Sequence, residues 1–240
     1  MTQTGSFEFY DNYAESAKKI QPELYDEINR ILNYEFTLFY QTFNRKPNVL
    51  DIGSAGLLPY DLRLVEKCVL LDLFKKPDTL RLDSNCEWIA GDILSKELPP
   101  ALHTNDGYDF IIMSSLLHHL CNENNEIIKN LDTCFYNSGL LLSDIGKICI
   151  FESTCPKFLT TIEDFCYPFY SRLLIKILKL TLVRLVTIEE ILLSLRKVGL
   201  NTKIVPFKQP RHIAQMYWRV PTKYYPLEIN AVFAYRSAKN

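Results

Sequence analysis

Three aspartates stand at comparable places along the chain, each at or just after the end of a short apolar run: Asp51 in VLDIG, Asp72 in VLLDLF and Asp92 in WIAGDIL. A carboxylate at a strand end is a paired acceptor for a ribose diol, and a second one can take an exocyclic amine such as adenine N6. Asp72 suits the diol and Asp92 the amine. A single aspartate of this kind reads as a helix cap or a turn residue, so the repetition over three runs is what points to a nucleoside. Between the first two lies Gly53-Ser54-Ala55-Gly56, a turn with so little side-chain bulk that its backbone can lie against a ligand. The turn lacks the G-x-G-x-x-G spacing, which speaks against NAD or FAD. Farther along, His118 and His119 follow the run YDFIIM, and Glu152 closes KICIFE with Pro156 behind it. An imidazole near its working pKa takes the proton of a phenol or alcohol, and a carboxylate can hold its tautomer.

Strands must deliver these groups. Mostly apolar runs occur at 49–53, 68–72, 87–90, 108–113 and 147–152, and lack of alternation fits strands buried on both faces of a parallel sheet. Helices are expected between them, the clearest over about 123–136 and a short one starting at Pro59. Thr187 and Glu190 form a T-x-x-E capping box for a helix that stops at Gly199. Two further runs, 202–207 and 229–236, have no obvious helix between them, so an antiparallel ending is expected.

Residues 1–46 carry aromatics at helical spacing ahead of the first strand and read as an N-terminal helical cap, with residues 1–20 as a lid. Residues 47–240 form the main domain, with an aromatic insert at about 151–186 after the fifth strand. Ligands bind outside the carboxyl ends of parallel strands, so cap and insert can both overhang the site. Tyr10, Tyr13, His119, Phe158, Phe165 and Tyr170 are the expected substrate contacts, although any one of the rings serves equally well as plain packing.

The 240 residues suffice for one large α/β domain, and a net charge of -1 with scattered Lys and Arg gives no footprint for nucleic acid. Seven cysteines never fall as C-x-x-C, and the N-terminus has no signal-peptide pattern, so a cytoplasmic protein with free thiols and no metal site is expected. RLLIKILKLTLVRLV, residues 172–186, is too short and too often interrupted by basic residues to span a membrane. Arg172, Lys176 and Lys179 make one cationic stripe there, and a half-buried helix with snorkelling lysines is favoured over a membrane-surface helix.

Over roughly residues 47–200 the chain resembles the class I S-adenosylmethionine-dependent methyltransferases, on VLDIGSAG, LLDLF, AGDIL, YDFIIMSSLLHHL and TIEEILLSLRKVGL. The resemblance implies a Rossmann-like, seven-stranded, mostly parallel sheet with a reversed last strand. It places S-adenosylmethionine against Asp51, Gly53, Ser54, Ala55 and Gly56, its ribose at Asp72 with Leu73, and its adenine at Asp92 with Ile93, Ser114 lying beside them. Ala55 and Leu57 stand where the family's second and third turn glycines usually fall, and Gly56 points to a shifted turn. Among subgroups, His118 with Glu152 and Pro156 is similar to the small-molecule O-methyltransferases, with His118 as base, although His119 is an alternative for the residue facing the cleft. No N/D-P-P-Y/F motif follows the fourth strand, which sets nucleic-acid amino-methylation aside. The other readings are a protein that binds the cofactor without transferring methyl, and an N-methyltransferase working by proximity.

Overall fold

The computed structural model describes residues 21–78, 80–122, 125–173, 183–208 and 227–236, without the side chains of 168 and 170–173. The expected lid with Tyr10 and Tyr13, the Tyr170 side chain, and Lys176 and Lys179 of the cationic stripe lie outside this set.

The first described helix, α1 (Pro22–Phe43), opens with proline in its first turn and ends at Asn44, whose left-handed φ of 52° stops it. Seven strands follow: β1 (Asn48–Ile52), β2 (Lys67–Asp72), β3 (Cys86–Ala90), β4 (Tyr108–Ser114), β5 (Leu142–Thr154), β6 (Leu200–Val205) and β7 (Glu228–Arg236). Helix α2 (Ile127–Leu141) precedes β5, and α3 (Lys157–Leu173) and α4 (Ile188–Lys197) lie between β5 and β6. The sheet order is β3-β2-β1-β4-β5-β7-β6. Neighbours from β3 to β5 are parallel, while β7 runs antiparallel to both β5 and β6, the reversed last strand that was expected.

Side chains alternate across the sheet, which splits the core in two. Leu50, Val69, Ile111, Ile148 and Val232 face α2 and α4 through Leu131, Phe135, Ile191 and Leu195. Val49, Leu70, Phe110, Ile112 and Phe151 face α1 through Ile28, Leu32, Phe36 and Phe39. Phe36 meets Phe110 edge to face at 4.9 Å and Tyr60 at 5.6 Å.

The connections depart from the expected alternation. Among the described residues no α-helix links β1 to β2, β2 to β3 or β3 to β4, where only 3-10 turns at Leu62–Leu64 and Pro100–Leu102 occur. The helix expected at Pro59 does not form, because α1 already covers that sheet face and Leu57 and Tyr60 pack beneath it as loop residues. Asp61 instead accepts from the Arg63 N–H and caps the 3-10 turn. The helix expected over 123–136 runs to Leu141, which is buried in the core. The capping box of α4 forms as expected, Thr187 and Glu190 each satisfying the other's backbone N–H. Residues 151–154 of the expected insert continue β5, and residues 157–173 form α3.

Candidate functional site

After β1 the chain moves outward to β2 and β3, then returns to the other side of β1 as β4. That reversal opens a crevice at the carboxyl ends of β1 and β4, the usual ligand position in an open α/β sheet. The turn after β1 holds Gly53, Ala55 and Gly56 at φ of 71°, 50° and 81°. A Cβ on Gly53 would meet Leu116 Cδ1 at 2.6 Å, so the turns after β1 and β4 pack closely, and a side chain here would both strain the φ of 71° and displace Leu116. Gly56 is crowded in the same way by Leu80.

Asp51, one residue before the end of β1, is buried and accepts from the Tyr60 hydroxyl at 2.8 Å. Burial pushes its carboxyl up to about 7, the Tyr60 hydrogen bond opposing and the Asp72 charge adding. Asp72, ending β2, accepts from the N–H groups of Ala55 at 3.2 Å and Phe74 at 3.1 Å, so it joins the glycine turn to its own strand end. Burial raises its carboxyl, and backbone donors offset part of the rise. Leu73 beside it is exposed. Asp92 is exposed and accepts from Leu94 N–H in a local turn, while Ile93 is buried in the core. Ser114 ends β4, and Ser115 with φ 51° donates its N–H to the Phe151 carbonyl.

The turn after β4 forms a 3-10 element at Leu117–His119. His118 Nδ1 lies 2.8 Å from Glu152 Oε1, and Glu152 also accepts from the N–H groups of Leu117 at 2.6 Å and Ser153 at 2.9 Å. Glu152 is 1% exposed and the His118 side chain 24% exposed. Burial opposes charge on both groups. The pair's mutual attraction and hydrogen bonding outweigh it, so the His118 pKa rises above its ordinary value and that of Glu152 falls below it. An ionised Glu152 accepts the Nδ1–H and leaves the Nε2 lone pair available. Of the two histidines, His118 is the one that meets Glu152; the His119 ring lies 4.1 Å away, tilted by 43°.

Two supporting residues gave no usable sign in the sequence. Arg184, 4% exposed, forms a fork with Asp164 and pairs with Glu190, so its guanidinium joins α3 to α4, while its backbone N–H donates to the His118 carbonyl and fastens the histidine turn to the same residue. Among the basic residues of 172–186, only its place outside the i, i+4, i+7 stripe sets it apart. Asn130 of α2 donates to the Leu120 carbonyl at 2.6 Å and fastens the far end of the same turn.

Helix α3 reaches this turn through Tyr167, whose hydroxyl donates to the Asn122 carbonyl at 2.7 Å. The expected substrate contacts Phe158 and Phe165 are on its exposed side, away from Tyr167. A cavity of about 870 Å³ lies at the opposite, amino-terminal edge of the sheet, lined among others by Arg45, Asn48, His103 and Asp144, and contains none of these site residues. Among the described residues no helix is long and apolar enough to cross a membrane.

No protein-family model and no curated protein matches the sequence. Solved structures do. YcgJ from Bacillus subtilis matches 85% of this chain and 99% of its own, with a TM-score of 0.53 at 13% identity. PigF with S-adenosylhomocysteine matches over 81% of this chain and 52% of its own (TM-score 0.52, 16% identity). CalO1, a methyltransferase of calicheamicin biosynthesis in its S-adenosylhomocysteine-bound form, matches over 95% and 60% (TM-score 0.50, 15% identity). The chain thus spans between half and three fifths of PigF and CalO1. At such identities the likeness is one of fold: this is the class I methyltransferase fold, a Rossmann-like seven-stranded sheet with its last strand reversed.

Proposed function

We propose that the protein is an S-adenosylmethionine-dependent methyltransferase that methylates a hydroxyl of a small molecule. The observation that carries this reading is the 2.8 Å His118–Glu152 contact on adjacent strand ends, beside the glycine turn at the reversal of strand order. The residues present fit the cofactor. Asp72 supplies a carboxylate for the ribose, and no residue of the Gly53–Gly56 turn itself carries a side chain larger than Ser54. Asp92 is exposed and available to the base. Bound there, S-adenosylmethionine supplies a methyl group on an electrophilic sulfonium. His118 Nε2 takes the acceptor's hydroxyl proton, while Glu152 Oε1 holds Nδ1–H and stabilises the imidazolium that forms. The remaining acceleration comes from holding the two reactants together. Residues 47–240 form the catalytic domain in this reading, with the described part of α3 beside the acceptor side through Tyr167.

Incubation with methyl-labelled S-adenosylmethionine and a panel of phenols and alcohols tests the reading: label should leave in a small product. A second reading, cofactor binding without transfer, draws on Asp72 already accepting two backbone N–H groups and on Leu80 lying over Gly56. Retained S-adenosylhomocysteine in the purified protein, with no labelled product from any acceptor, favours that second reading.

A further inference from the structure

The outward side of α3 presents Phe158, Ile162, Phe165 and Phe169 at i, i+4, i+7 and i+11, exposed by 61%, 58%, 82% and 77%. On a helix this 4-3-4 spacing gathers the four side chains into one narrow seam about 16 Å long. Side chains of this kind carry about 150 to 250 Å² each, so roughly 500 Å² of contiguous apolar surface faces outward. That is near the upper end for a monomer's largest patch, and supplies more than half of the roughly 800 Å² per partner in a standard interface.

We infer that this seam is where a second copy of the chain docks, the two α3 helices packing antiparallel about a two-fold axis. The 4-3-4 repeat is that of a two-helix seam, in which Phe158 packs beside Phe169 and Ile162 beside Phe165 of the other copy. A lipid surface fits less well. Membrane-surface helices pair a broad apolar face with Lys and Arg, whereas the polar side of α3 holds Glu163 and Asp164, which bind Leu185 N–H and Arg184. The flanks of the seam include Thr161 and Cys166, both exposed and uncharged, and the next position of the same repeat is Arg172, so the apolar part of the seam ends at Phe169. The inference is independent of the reaction proposed above.

Light scattering on the full chain at micromolar concentration should give twice the chain mass of 28.0 kDa. Phe165→Asp should convert it to monomer with an unchanged far-UV spectrum, and the milder pair Phe165→Ser with Phe169→Ser should weaken the dimer if the aspartate disturbs folding. In the antiparallel pair the two Cys166 residues lie on one side, about 10 Å apart at the usual helix spacing. A short bis-maleimide should therefore link the copies, and Cys166→Ser should abolish the link. A wild-type chain that stays monomeric, a dimer untouched by either variant, or a monomer that pellets with anionic vesicles through the same residues would overturn the inference.

Discussion

The Tyr60 hydroxyl donates to Asp51 Oδ2 at 2.8 Å and ties the end of β1 to the loop that stands where a first crossover helix was expected. Both residues are buried, and Asp51 stands one residue before Ile52, which ends the strand at the glycine turn. The pair makes the floor of the candidate cofactor site sensitive to pH.

A folded-state carboxyl near 7 against an ordinary value of about 3.9 means that this group's contribution to stability is complete below about pH 4 and lost as pH rises through 7. His118, also raised, pushes in the same direction, so comparison with a variant isolates the aspartate. Asp51→Asn should remove about 2 to 3 kcal/mol of the stability lost between pH 5 and pH 8. Urea denaturation of both proteins at the two pH values measures it, and identical pH slopes would refute the assignment.

Asp72→Ala should weaken S-adenosylmethionine binding by about 1.5 to 3 kcal/mol, since charge-assisted bonds to the ribose diol are lost. Calorimetry on the folded variant decides the point. Because Asp72 also accepts from Ala55 and Phe74, the glycine turn should become more mobile, read as faster amide exchange at those two residues.

His118→Ala should lower turnover on the true acceptor by on the order of 100- to 10,000-fold with little change in cofactor affinity. The base must be neutral to act, and its pKa is raised by Glu152 against the effect of burial, so the wild-type rate should climb through a pKa above 6.5. Glu152→Gln removes the charge, and its acid limb should move to lower pH while turnover falls. A Glu152→Gln profile superimposable on wild type would show that the pair does not set the titration.

Arg184→Met should cost about 2 to 3 kcal/mol, less than the loss of a fully buried pair because Asp164 keeps 40% exposure. It should also lower turnover through the histidine turn, since α3 and α4 lose their common anchor. Thermal denaturation and turnover at a temperature where the variant is folded separate the two effects.

Much of this was legible in the residues themselves. Strands β1, β2, β4 and β5 are apolar on both faces and so announce a buried parallel sheet, and Thr187 with Glu190 fixes the start of α4 through local hydrogen bonds. His118 and Glu152 were paired on family resemblance, and the adjacent parallel strands β4 and β5 bring them within hydrogen-bonding distance. What depended on distant packing was not legible. The missing helix at Pro59 goes with α1 covering that sheet face, a competition between segments that no local propensity records. Arg184 looked like one more basic residue until Asp164 and Glu190 closed on it, and the outward turn of Phe158 and Phe165 depends on which side of α3 Tyr167 anchors. Local spacing determines which residues share a strand or a helix face; only the tertiary structure decides which face is buried, because burial is settled by the surfaces that other parts of the chain bring to it.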